Sequence, residues 1–403
     1  MSAFRRALAG MAVCVAGTAH AQPAIVADSG DNGWMLAASM LILAASLPGL
    51  ALFYAGARGT RTALALFGST AIVTLLFVAI GYTLAFGEGT AWIGGFDNMM
   101  LSGLSDVQPD MTISATVYAL FELAVAIFAA AILVASLAGR TRLGWLFAFA
   151  ALWSLLVYVP LARSIWGGGW LAELGTLDYA GGIVVQISVG VSALIVAILM
   201  GRDRSPPVVD DAGMAASGVS LLWVGSLALI GASSFGATDD AAEAILNAQL
   251  AASSATIVGL LIERLRSGAT TVGWAATSAI AGLAAISAGA GYVGPEGAIL
   301  LGAIGAVGAV GAAWLVRVLN LGIASRAFVA HGGGAILGAI LFPIFILPIF
   351  GGPGFDDGLT LASQMATQGL AVLAAIIWAA FGTTIAALMI AMVLPMAEDE
   401  RAG

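Results

Sequence analysis

Eleven stretches of about 20 apolar residues follow one another along this 403-residue chain, each long enough for a helix to cross the hydrocarbon core of a bilayer. They run over 34–56, 63–86, 114–137, 142–162, 178–200, 213–234, 241–265, 271–289, 297–318, 325–349 and 365–393, with short connections between them. Hydrophobic residues make up 61% of the chain and charged residues 9%, where soluble domains carry about 25% charged residues. A soluble core cannot absorb that excess, so the expected fold class is an all-α integral membrane protein forming one compact bundle. Fifty-three glycines, many spaced among alanines as in Gly302 to Trp314, let helix backbones approach closely and leave room only for a narrow path.

Charge placement gives a sidedness. All fourteen basic residues are arginine. Arg58, Arg61, Arg140, Arg142, Arg202, Arg204, Arg264, Arg266, Arg317, Arg326 and Arg401 fall at loops of one side, if every run crosses. The other loops hold Asp97, Asp106, Asp110, Asp239, Asp240, Glu296, Asp356 and Asp357, with Arg163 their one basic residue. The positive-inside rule then puts the amino terminus outside and the carboxyl terminus in the cytoplasm. The first residues agree: Arg5 and Arg6, a short apolar run, then Ala19 and Ala21 read as a secretory signal over 1–21, cleaved after Ala21. Cys14, the only cysteine, leaves with it, and so does His20. The net charge of −8 fits a cationic ligand and fits ordinary acidic loops equally. No nucleic-acid partner is expected.

Polar side chains inside spans are costly and mark a pathway or a buried structural bond. Four stand out: Glu122 in the third run, Asp178 and Gln186 in the fifth, and His331 in the tenth. A carboxylate at Asp178, where a helix begins, caps free backbone N–H groups and favours the helix dipole; indirect support of a bound substrate is the other role open to it. Gln186 lies eight residues on, about 12 Å deeper. His331 reaches a similar depth from the opposite side. Runs five and ten are five places apart, as in two inverted five-helix repeats plus one extra helix, with the path at the repeat interface. Gln186 and His331 would then face each other. Nothing resembles an activated nucleophile, a metal-ligand cluster or a cofactor loop, so no enzyme activity and no cofactor are expected.

The segment DYAGGIVVQISVGVSAL (Asp178 to Leu194) resembles the DFAGGTVVHINAG segment of the ammonium transporter/methylammonium permease/Rhesus family. So do Gly30 to Gly56, GYTLAFG (Gly81 to Gly87), Leu152 to Gly175 with its WGGG block, GYVGPEGAILLGAIG (Gly291 to Gly305) and FVAHGGGAILGAI (Phe328 to Ile340), in order along the chain. The resemblance implies eleven helices with an inverted repeat over 22–396, a homotrimer, and one narrow pore per subunit. It implies a bacterial inner (plasma) membrane protein whose substrate is ammonium or ammonia, with the lipid bilayer as its other partner. It further implies that an outer aromatic and a hydroxyl recruit ammonium, two stacked aromatic rings gate the entrance, and two histidines line an apolar lumen. Trp166 matches the recruiting aromatic and Ser233 the hydroxyl, with Ser234 the alternative. Asp178 matches the aspartate of the fifth helix and His331 the second histidine.

Other positions depart. Gln186 stands at the first histidine position, and Val125 and Leu229 stand where the gate phenylalanines are expected. Phe121 remains one turn from Val125, and Glu122 follows it where glutamine is usual. Gly322, Ile323 and Arg326 replace an acidic pair before the second histidine. The short tail, 397–403, puts contact with a PII-type regulator in doubt. Histidine titrates near neutrality and a carboxamide does not. The resemblance therefore implies transport with altered proton coupling and a wetter, less selective entrance. The alternatives are a transport-impaired ammonium sensor acting through a separate partner, and passage of another neutral solute.

Overall fold

The computed structural model describes residues 26–55, 59–202, 211–356 and 358–397. The signal expected over 1–21, Arg58, Arg204, Asp357 and the tail beyond residue 397 lie outside them. Among the described residues the chain is helical, with two isolated β-bridges and no strands. Ten helices are long and apolar enough to cross a membrane: α1 (Ser29–Tyr54), α2 (Gly59–Phe86), α3 (Ala115–Leu137), α4 (Leu143–Glu173), α5 (Gly182–Met200), α6 (Ala212–Ala232), α7 (Asp239–Ser267), α9 (Pro295–Leu319), α10 (Phe328–Ile346) and α11 (Leu361–Ala391). The eighth run yields a shorter apolar helix, α8 (Val272–Ile286).

Helix α8 has 15 residues and spans about 22 Å, less than the roughly 30 Å of a hydrocarbon core. It nevertheless crosses from end to end. At one end Glu263, on the last turn of α7, accepts from the Thr271 amide and hydroxyl, both at 2.8 Å. At the other, Asn247 near the start of α7 donates to the carbonyls of Ala290 (3.0 Å) and Val293 (2.7 Å) just past α8. The turns at 287–292 complete the crossing.

The two ends are held by different chemistry, along the division the arginines trace in the sequence. At the arginine end, Arg61 donates to the carbonyls of Ala138 (2.9 Å) and Thr141 (2.5 Å), and Arg140 donates to that of Leu321 at 3.2 Å. The Arg142 amide donates to Met396 O at 2.9 Å, and Thr141 forms a β-bridge with Ala397. At the opposite end Arg163 grips the loop after α2, donating to Thr90 O (3.0 and 2.7 Å) and Gly87 O (2.8 Å). There too the Asp28 amide donates to Thr112 O at 2.7 Å, and Asp31 accepts from the Ala237 amide at 2.8 Å. The described chain thus starts and finishes at opposite ends, as an odd number of crossings requires.

Helix α3, apolar round most of its circumference, is the most enclosed, with 20 of its 23 residues buried. Helix α5 follows with 14 of 19. Ser192 on α5 accepts from Trp153 Nε1 of α4 (2.8 Å) and Thr383 Oγ1 of α11 (2.7 Å), so a buried hydroxyl ties three helices. Helices α5 and α10 each open on a π-helical turn, Gly182–Ile187 and Phe328–Gly332. They cross where Gly190 meets Gly332: a Cβ built on Gly190 would lie 2.5 Å from the Gly332 Cα. This is the relation expected of symmetry mates in an inverted repeat.

Gly190→Ala therefore forces two backbones apart. It is expected to lower the stability of the detergent-solubilised protein by about 1–3 kcal/mol, read as a fall in melting temperature by tryptophan fluorescence. Gly311→Ala, whose added methyl meets nothing within 4 Å, is the control and should leave the midpoint unchanged or raise it.

Candidate functional site

The fifth helix begins with unpaired amides, as every helix does, and here a side chain meets them. Gly181, at φ 82°, turns the chain into α5. The turn brings the Asp178 carboxylate onto the exposed N–H groups: Ile183 N donates to both oxygens at 3.0 Å, and Val184 N donates to Oδ2 at 2.8 Å. The segment before it is pinned to the end of α8, with Tyr179 N donating to Ala288 O (3.1 Å) and Ala180 N to Ser287 O (2.8 Å). The Asp178 backbone carbonyl in turn accepts from Trp166 Nε1 at 2.8 Å, which sets the indole at the break within α4. The capping geometry read from the sequence is thus present, and the same residue positions the tryptophan.

Trp166 and Asp178 line a cavity of about 370 Å³ at the acidic-loop end. Phe121, Glu122 and Val125 reach it from α3, and Leu229 and Ser233 from α6. Ser233 caps the end of α6, its hydroxyl donating to Leu229 O at 2.9 Å, so its lone pairs remain able to accept. Ser234, the alternative, lies outside the lining and closes the turn with Gly231 O (2.9 Å) and Gly236 O (3.0 Å). Val125 and Leu229 sit one turn deeper than Phe121 and Ser233. Both are almost fully buried.

Phe235 was not singled out in the sequence. It takes a left-handed backbone conformation, φ 58°, in the turn after α6. Its ring meets Phe121 edge to face at 5.7 Å and Tyr118 at 5.4 Å. Phe121, Tyr118 and Phe235 thus form an aromatic cluster in the cavity lining. The one trace of it in the sequence is an aromatic inside the turn-forming run Ser233 to Gly236. Tyr179 and Tyr292, edge to face at 5.8 Å, complete the aromatic wall. Two carboxyl groups, Glu122 and Asp178, face this cavity, and no basic side chain is in its lining among the described residues.

Deeper in the bundle, Gln186 and His331 do meet. His331 Nδ1 lies 2.7 Å from Gln186 Oε1, and both residues are nearly inaccessible to solvent. A carboxamide oxygen only accepts, so in this arrangement Nδ1 donates, and in the neutral ring the free lone pair is on Nε2. Nε2 is buried and has no partner among the described residues. Each side chain projects from the π-helical turn that opens its helix, a distortion frequent at functional positions.

A multi-pass helical membrane protein, with an acidic aromatic mouth at one end and a buried Gln–His pair within, is the class these features define. The model of the Ammonium Transporter Family matches residues 33–403. The ammonium transporter of Aquifex aeolicus (strain VF5) is 34% identical over 382 residues, covering 93% of this chain and 90% of the relative. The ammonium transporter of Bacillus subtilis (strain 168) is also 34% identical over 382 residues, covering 92% and 94%. The crystal structure of Candida albicans Mep2 superposes with a TM-score of 0.83 at 25% identity, covering 93% of this chain and 87% of that one. The chain belongs to the ammonium transporter family.

Asp178→Ala uncovers at least two buried amides and is expected to lower stability by about 1.5–3 kcal/mol. Asp178→Asn, which keeps one accepting oxygen, should lose less. Chemical denaturation of the purified protein would rank the two, and equal midpoints for both variants and the parent would remove the capping role.

Proposed function

We propose that this protein carries ammonium nitrogen across the membrane through its own helix bundle, taking it up as the cation and passing it inward as neutral ammonia. The single observation that supports this most is the cavity joining the Trp166 ring and Ser233 hydroxyl with two carboxyl groups and no basic lining residue. A cation over the indole face gains about 0.5–2 kcal/mol, and the hydroxyl accepts one N–H. Asp178 acts indirectly, by holding the indole in place. Family membership supports the same substrate.

The remaining steps follow from desolvation. Ammonium and potassium are alike in size, so radius does not separate them. Hydrogen-bond donation does, and so does loss of a proton, because a neutral molecule enters apolar space at far lower cost than an ion. Phe121 with Phe235, then Val125 and Leu229, form the apolar passage. At the buried pair the free lone pair of His331 Nε2 accepts an N–H from ammonia, while Gln186 holds the ring. The carboxamide does not titrate, so this pair does not relay a proton between its members. In this reading the arginine end faces the cytoplasm of a bacterial plasma membrane and the working unit is a homotrimer.

Proteoliposomes separate the possibilities. An ammonium pulse should alkalinise the lumen faster than in protein-free vesicles, with little current on a supported membrane. His331→Ala is expected to slow alkalinisation about tenfold, the equivalent of one lost hydrogen bond at ~1.4 kcal/mol. Gln186→His should add current. A large current in the parent, lost in His331→Ala, would overturn neutral passage, and ammonium binding with neither signal would favour sensing over transport.

A further inference from the structure

Two carboxyl groups face the same cavity, and they are not equivalent. Asp178 has both oxygens occupied by the backbone of α5. Glu122 does not. It is 3% exposed, it lines the inner part of the cavity beside Phe121, and its Oε2 is buried with no hydrogen-bond partner among the described residues. Tyr118, one turn earlier on α3, lines the same cavity beside the carboxyl. Tyr82 from α2 and Tyr158 from α4 share its field, and the Tyr158 hydroxyl is itself unpartnered. Across the cavity stand Asp178, Tyr179 and Tyr292. No arginine or histidine is in the lining. A buried carboxyl of purely structural role has its oxygens satisfied, since leaving one bare costs the full desolvation of that atom. Here the bare oxygen belongs to a residue that lines the cavity where the cation is read to enter.

We infer that Glu122 is the base that takes the proton from ammonium at the inner end of the cavity. The inference rests on the transport reading above. One N–H bond of ammonium breaks and its electron pair stays on nitrogen, leaving neutral ammonia. The proton forms an O–H bond on Glu122 Oε2, leaving a neutral carboxylic acid. Ammonia continues inward past Val125 and Leu229. The carboxylic acid then gives its proton to water on the mouth side, which restores the carboxylate. Charge balances within the cavity, and no proton has to pass Gln186. Tyr118, one turn away in the same lining, is the neighbour placed to tune the carboxyl.

The test compares the parent with Glu122→Gln, Glu122→Asp and Tyr118→Phe in proteoliposomes. It reads ammonium-driven alkalinisation across external pH, and ammonium binding by thermal shift in detergent. Glu122→Gln is expected to bind ammonium still, to lose rate on the order of a hundredfold, and to lose the pH dependence that a titrating carboxyl confers. Glu122→Asp should keep part of the rate. Tyr118→Phe should move the midpoint of the pH profile while retaining flux, a change that a structural carboxyl would not produce. A Glu122→Gln protein with the parental rate and profile would overturn the inference and leave transport intact. Should that variant fail to fold, Glu122→Asp and Tyr118→Phe with unchanged profiles would overturn it as well. A parent that binds ammonium yet shows no flux would overturn the transport reading, and the proton step with it.

Discussion

The carboxylate of Asp178 meets the amides at the start of α5, and three parts of the site depend on that contact. It fixes the turn at Gly181, so α5 enters the bundle at a set angle and depth. It leaves the Asp178 carbonyl facing the indole N–H, so the tryptophan at the break within α4 is held by the backbone just ahead of α5. It also sets Gln186 eight residues further in, where the carboxamide meets His331. A buried helix start without a side-chain partner would leave its amides unsatisfied in a region without water. The cap is therefore a condition for the helix and, through the helix, for the cavity and the polar pair alike.

The molecule separates its polar work by depth. At the mouth, aromatic faces, hydroxyls and carboxyl groups suit a cation. Below Phe121 the walls turn aliphatic, with Val125 and Leu229, and suit a neutral species. The buried pair supplies hydrogen bonding without a titrating glutamine. Two distorted helix openings present that pair, one from each side of the bundle, and a glycine crossing lets them meet. An apolar side chain at Gly190 would push α10 away and open the hydrogen bond along with the packing.

Much of this was legible in the sequence because hydropathy and charge report on the bilayer directly. The eleven runs, their sidedness and the offset between Gln186 and His331 follow from what a membrane excludes. The carboxylate before an apolar run announced a helix start. Other features were hidden because they depend on local geometry that composition does not encode. The eighth helix is short, and only its neighbours' hydrogen bonds make clear that it crosses. Ser233 and Ser234 are equivalent as letters; the end of α6 points one to the cavity and folds the other into a turn. Phe235 reaches Phe121 through a left-handed residue, so an aromatic contact forms one turn above Val125 from a helix end that the sequence did not single out. The bare oxygen of Glu122 likewise has no signature in sequence, since a satisfied and an unsatisfied carboxyl are written alike.

The contact between Gly190 and Gly332 also sets a limit on movement. With no side chain between the two backbones, α5 and α10 already touch and cannot come closer. Any rearrangement at Gln186 and His331 that keeps this crossing is a rotation of a carboxamide or an imidazole rather than a displacement of helices. In the transport reading, the path is then a fixed sieve whose finest adjustment lies in two side chains.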